Sequence, residues 1–120
     1  LLGPHGAVFA RRVFGLAEQA ALGLPLAEEE GTARRTAHTV ASAAADFAAK
    51  EAFLKAAGTG LREPFSLCEI EAVRLPGGAP AYHFSGRSAQ WVEARRLRAH
   101  LSLSHEDGMA MAYCILETET

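Results

Sequence analysis

From residue 36 to residue 57 the chain runs TAHTVASAAADFAAKEAFLKAA without a single Gly or Pro, and Gly58 follows at once. Alanine loses no side-chain freedom in a helix, and a glycine just past the last periodic residue is a common way for a helix to end. The composition predicts one long helix over 36–57, capped at its start by Thr36 or Thr39. A helix of that length spans roughly 30 Å, the width of a small domain, so the rest of the chain has to pack along it. Val40, Ala44, Phe47 and Leu54 share one stripe of this helix, and Glu51 falls within it, about 40° around from Phe47. A carboxylate is thereby expected on the apolar face, where it needs a partner.

The flanking segments have other periods. Residues 7–22 (AVFARRVFGLAEQAAL) place Val8, Phe9, Val13, Leu16 and Ala20 at helical spacing, which predicts a short helix broken near Gly15 and ended by Gly23 and Pro25. Beyond Pro64, Cys68, Ile70 and Ala72 alternate with charged neighbours; the turn cluster Pro76-Gly77-Gly78-Ala79-Pro80 follows, and Tyr82 and Phe84 mark the returning strand of a hairpin. Ser85 reads as the cap of a helix over 87–96. Leu101 and Leu103 then alternate with Ser102 and Ser104, a turn falls at His105-Glu106-Asp107-Gly108, and Met109 to Leu116 alternates again as a second hairpin. Helix, helix, hairpin, helix, hairpin is the order of an α+β domain: a mainly antiparallel sheet packed against helices, one domain over residues 1–120.

With 49% apolar and 22% charged residues the chain reads as an ordinary globular protein. A net charge of −2 and the lack of any Lys/Arg run argue against a nucleic-acid partner, and no apolar run approaches a membrane span. Two cysteines in alternating apolar segments, Cys68 and Cys114, read as small buried thiols and suit a reducing cytoplasm.

Three places carry chemistry. Glu51 has Lys55 one turn further on, which is consistent with an internal ion pair or with a functional carboxylate beside a cation. Gly58-Thr59-Gly60 is either a helix stop or a backbone that a ligand approaches closely. His105, after Ser102 and Ser104, is either a solvated turn histidine, or a phosphate donor or proton shuttle.

Together these segments form a pattern. Phe47-Ala48-Ala49-Lys50-Glu51-Ala52, then Lys55, then Gly58-Thr59-Gly60 closely resembles the signature helix of bacterial holo-acyl-carrier-protein synthases. Leu101-Ser102-Leu103-Ser104-His105, leading to Ala110 and Ala112, resembles that family's second motif, and Gly78-Ala79-Pro80 resembles its Gly-Lys-Pro turn. The resemblance implies an enzyme that moves the 4′-phosphopantetheine arm of coenzyme A to a serine of apo acyl carrier protein, with Mg²⁺ as cofactor and a homotrimer as the working form. It implies Glu51 as metal ligand and catalytic residue, with Lys55 and His105 as catalytic partners. Lys50, Lys55, Gly58, Thr59, Gly60, Gly78, Pro80, Ser104 and His105 are implied as coenzyme contacts. Arg11 and Arg12 are candidates for docking the acidic carrier.

The pattern also departs from the family. Members open with a strand carrying a Gly-x-Asp motif whose aspartate is a second metal ligand; residues 1–14 resemble the region just after it, so the chain reads as incomplete at its start. Asp46 stands where an arginine is usual and Ala79 where a lysine is usual, exchanges that remove positive charge from a polyanion site, for which Arg62, Arg87 or Arg98 are possible substitutes. A protein that keeps the fold and binds coenzyme A with weak turnover is the alternative function.

Overall fold

The computed structural model describes residues 12–22 and 33–119 of the chain. Its elements are α1 (Leu16–Leu22), α2 (Ala33–Ala57), a 3₁₀ turn (Leu67–Glu69), β1 (Ile70–Arg74), β2 (Pro80–Phe84), α3 (Gly86–Ala94), β3 (Leu97–Glu106) and β4 (Met109–Thr118). The α+β order expected from the periodicities is the observed one. The helix already runs at Ala33, so Thr36 and Thr39 lie inside α2 rather than at its cap. Residues 1–11, with Val8, Phe9 and Arg11, and residues 23–32 lie outside the described residues.

Both hairpins are antiparallel, β1 with β2 (Ile70 opposite Phe84, Arg74 opposite Pro80) and β3 with β4 (Leu97 opposite Thr118, Glu106 opposite Met109). Asp107 and Gly108 join the second pair with φ of 51° and 77°, the backbone of a two-residue turn whose twist matches that of the strands. The helix after β2 begins as expected, but its cap is different. Ser85 makes no side-chain bond there; Glu69 Oε1 instead accepts from the Ser88 N–H (3.3 Å) and hydroxyl (3.2 Å), a carboxylate at the positive end of α3.

Phe53 of α2 is the hub of the larger core. Its ring lies 5.5 Å from Phe65, 5.8 Å from Tyr82, 4.9 Å from Phe84 and 6.4 Å from Trp91, and Ile70, Val92 and Leu54 complete the cluster. Val13, Phe14, Leu22 and Ala43 form a smaller cluster where α1 meets α2. The long helix packs along β4, whose inward residues Ala110, Ala112, Cys114 and Leu116 are half-buried. Small side chains on both surfaces let helix and strand approach closely. The outward face of β4 is unusual for a solvated strand: Met109, Met111, Tyr113 and Ile115 are 66%, 50%, 66% and 64% exposed.

Candidate active site

Glu51 and Lys55 lie one helical turn apart on α2, both exposed, and both line an open groove of about 480 Å³ with Ala48, Ala52 and Ala56 on the helix side and Ala112, Tyr113 and Cys114 of β4 opposite. Glu51 is therefore not on the buried face, contrary to the expectation from the apolar stripe. The row that turns inward is Ala43, Asp46, Lys50 and Phe53, with Ala49 and Leu54 beside it, while Phe47 and Ala44 are half-buried. The reason is that two charged side chains of α2 are taken into the interior by partners far away in sequence, which helical periodicity cannot register.

Lys50 is one of them. Expected as a coenzyme contact, it is instead wholly buried (0% exposed) and its ammonium donates to Glu18 Oε1 of α1 (2.5 Å) and to the carbonyls of Leu67 (2.9 Å) and Ile70 (2.6 Å). An ammonium has three N–H donors, and here all three face protein acceptors. Glu18 also accepts the N–H groups of Gly15 and Ala72, and Glu71 Oε2 accepts the Glu18 N–H. Burial pushes the Glu18 carboxyl up to about 7 and the Lys50 ammonium down, their mutual attraction opposing both shifts. The chain is held so close here that a Cβ on Gly15 would stand 2.3 Å from Glu71 Cδ and 2.5 Å from the Cys68 carbonyl, so this position takes only glycine.

Asp46 is the second buried charge. Its carboxylate does not face the groove: it lies 3.6 Å from Arg74 Nη2, and its Oδ1 has no hydrogen-bond partner. Burial raises its pKa to about 6, against the attraction of Arg74 and Lys50. An acid whose folded pKa is raised contributes stability that is present below its unfolded pKa and lost as pH rises through the folded value. Asp46→Asn is accordingly expected to gain roughly 1–2 kcal/mol over the parent chain near pH 8, a gain that shrinks to nothing as pH falls through about 6 toward 4. Paired thermal melts across that range check it; a variant less stable than the parent at the upper end would mean that the Arg74 pair outweighs the burial cost.

The other motif residues are spread out. Gly58, with φ of 79°, ends α2 by donating to the carbonyls of Leu54 and Lys55 (3.1 Å each), and the Thr59 hydroxyl donates to the Gly60 carbonyl. Gly78 and Pro80 stand at the β1–β2 turn, and Ser104 and His105 at the exposed far end of β3 opposite Met111 and Ala110. None of these four lines the groove that holds Glu51 and Lys55. Arg87 and Arg98 pair with Glu63 and Glu119 at the surface, and Arg12 and Arg62 are exposed. Sequence reasoning missed Glu18 and Tyr82. The Tyr82 hydroxyl donates to the Ala49 carbonyl (2.5 Å), and burial holds its pKa above the usual phenol range. Neither residue stands in a motif, and each meets α2 from more than thirty residues away.

A long helix packed along an antiparallel hairpin belongs to a fold that known proteins share. Residues 2–114 match the family model of the 4′-phosphopantetheinyl transferase superfamily, and the chain belongs to that superfamily. It is thus a transferase, and within the superfamily its relatives are holo-[acyl-carrier-protein] synthases. The synthase of Bordetella pertussis is 39% identical over 97% of this chain and 72% of its own length, and that of Delftia acidovorans 35% identical over 94% and 82%. Among solved structures, the Neisseria meningitidis holo-[acyl-carrier-protein] synthase superposes with a TM-score of 0.73 at 27% identity, covering 94% of this chain and 82% of that one. The Chronobacterium ammoniagenes synthase, solved as a complex with coenzyme A, superposes at 0.74 with 26% identity, covering 99% and 87%.

Proposed function

We propose that this chain transfers the 4′-phosphopantetheine arm of coenzyme A to a serine of an apo acyl carrier protein, with Mg²⁺ held at Glu51. The observation that carries the reading is the exposed pairing of Glu51 and Lys55 on one open groove, in a chain whose relatives are holo-[acyl-carrier-protein] synthases. In the reaction the serine Oγ bonds to the phosphorus that bears pantetheine. The bond from that phosphorus to the bridging oxygen breaks, adenosine 3′,5′-bisphosphate leaves, and the serine proton is released.

Mg²⁺ commonly takes one or two protein carboxylates and fills its remaining positions with phosphate oxygens and water. Glu51 offers one exposed carboxylate, and among the described residues no three His, Cys, Asp or Glu side chains gather into a metal cage. That donor set fits a cation shared with a diphosphate. Bound there, the cation supplies neutralisation of the diphosphate charge. Lys55, a turn away, places a second positive charge on the same groove for the oxygens on which charge builds during transfer. The scattered positions of Ser104, His105, Gly78 and Pro80 favour a site completed between copies, and the apolar row Met109, Met111, Tyr113 and Ile115 favours a homotrimer in which another copy covers β4, with Tyr113 at the groove edge. Two free, half-buried cysteines suit the cytoplasm.

Mass spectrometry tests both parts. Apo carrier protein incubated with coenzyme A, Mg²⁺ and the full chain is expected to gain the mass of one phosphopantetheine arm, and the native mass of the enzyme is expected to be three times that of the chain. No gain alongside retained coenzyme binding would leave a binding protein; a native mass of one chain would remove the trimer.

A further inference from the structure

Glu18 and Lys50 make a buried contact that the transfer chemistry does not use. Replacing such an ion pair by apolar side chains is commonly neutral or stabilising, so stability alone does not account for it. What this pair has and an apolar pair lacks is direction. Lys50 Nζ meets three acceptors on three different elements, the carboxylate of Glu18 on α1 and the carbonyls of Leu67 in the 3₁₀ turn and Ile70 in β1. The Phe14 ring lies 5.5 Å from the same nitrogen. Glu18 is itself fixed by the N–H groups of Gly15 (3.1 Å) and Ala72 (2.6 Å), and its own N–H by Glu71 (2.9 Å). One atom on α2 is thus tied to α1, the turn and the first hairpin.

Lys50 immediately precedes Glu51, so the two side chains leave the helix about 100° apart, with Lys55 about 40° beyond Glu51. The rotation of α2 at which Lys50 reaches its acceptors is the rotation at which Glu51 and Lys55 lie along the groove. At the outer radius of a helix, about 5–6 Å, a turn of about 20° displaces a side-chain head by about 2 Å. Misplacement of about 1 Å is enough to cost up to about a hundredfold in rate.

We propose that Glu18 is a positioning residue, which through Lys50 sets the rotation of α2 and so aims Glu51 and Lys55 at the diphosphate. The proposal rests on Glu51 carrying the cation. Its test compares the parent chain with Glu18→Gln, the double variant Glu18→Gln/Lys50→Met and Glu51→Gln, by thermal melts, by calorimetric titration of coenzyme A with and without Mg²⁺, and by kcat and KM. Glu18→Gln leaves an ammonium buried without its counter-charge and is expected to melt lower. The double variant removes the Glu18 and Lys50 charges and retains the aromatic cluster around Phe53, but it leaves the Leu67 and Ile70 carbonyls without their donor and the buried Asp46 and Glu71 without the ammonium's attraction, so it is expected to melt above Glu18→Gln and no higher than the parent. Its Mg²⁺-dependent gain in coenzyme affinity is nevertheless expected to fall about fivefold or more and its kcat about tenfold or more, with KM for the carrier protein unchanged. A double variant with the parent's Mg²⁺ gain and kcat overturns the proposal, as does one that melts at or below Glu18→Gln, since the loss would then be one of stability. Glu51→Gln separates the two readings. If it keeps the full Mg²⁺ gain, the metal assignment falls and takes the proposal with it; if it loses the gain while the double variant keeps it, only the role of Glu18 falls.

Discussion

Glu51→Ala is expected to slow phosphopantetheine transfer by about 10²–10³-fold while leaving the melting temperature at the parent value, the size of effect seen when a preorganised stabiliser of developing charge is removed. The two halves of that expectation have separate causes. Glu51 is exposed on α2 and belongs to neither hydrophobic cluster, so its removal takes no packing from the fold. It is also the carboxylate that shares the groove with Lys55, the place where charge building on the phosphoryl oxygens during transfer would be met. Raising Mg²⁺ is expected to recover little of the rate, because with the cation held as proposed the missing group would be its ligand and not the cation. The rate of carrier mass gain, read beside a melting curve of the same sample, decides it. Transfer at the parent rate would move the catalytic carboxylate elsewhere, and a large drop in melting temperature would reassign Glu51 to structure.

The second large effect is on stability. Phe53→Ala removes the ring that four other aromatic residues surround, at centroid distances of 4.9–6.4 Å, from a position with no solvent exposure. The expected loss is about 3–5 kcal/mol, because the lost burial is joined by a cavity that Phe65, Tyr82, Phe84 and Trp91 cannot close while strands and helix hold them in place. Urea unfolding monitored at Trp91 reads it directly, and for a chain of this length the melting temperature is expected to fall by about 10–20 °C. A loss below about 1.5 kcal/mol would mean that the cluster repacks, and that the core is held by β4 against α2 rather than through this ring.

The helix over 36–57 was legible because Ala, Leu, Lys and Glu without Gly or Pro have few alternatives, and both hairpins because period-two alternation was punctuated by Gly-rich turns. The α2 motif with Glu51, Lys55 and Gly58-Thr59-Gly60 was equally legible, since those residues are adjacent along the chain. The face of the helix was not. An apolar stripe placed Glu51 inward beside Phe47, whereas Lys50 and Asp46 are the charges that go in and Glu51 faces the groove.

Local propensity and spacing are properties of neighbours in the chain, and they determined where this protein has helices and hairpins and which superfamily motif it carries. Which way α2 turns was decided by groups far from it in sequence. Glu18 lies 32 residues before Lys50, Leu67 and Ile70 lie 17 and 20 after it, and Tyr82 lies 33 beyond Ala49. Burial of a lysine is unfavourable until every one of its donors has an acceptor, and only the assembled tertiary structure brings those acceptors to one point.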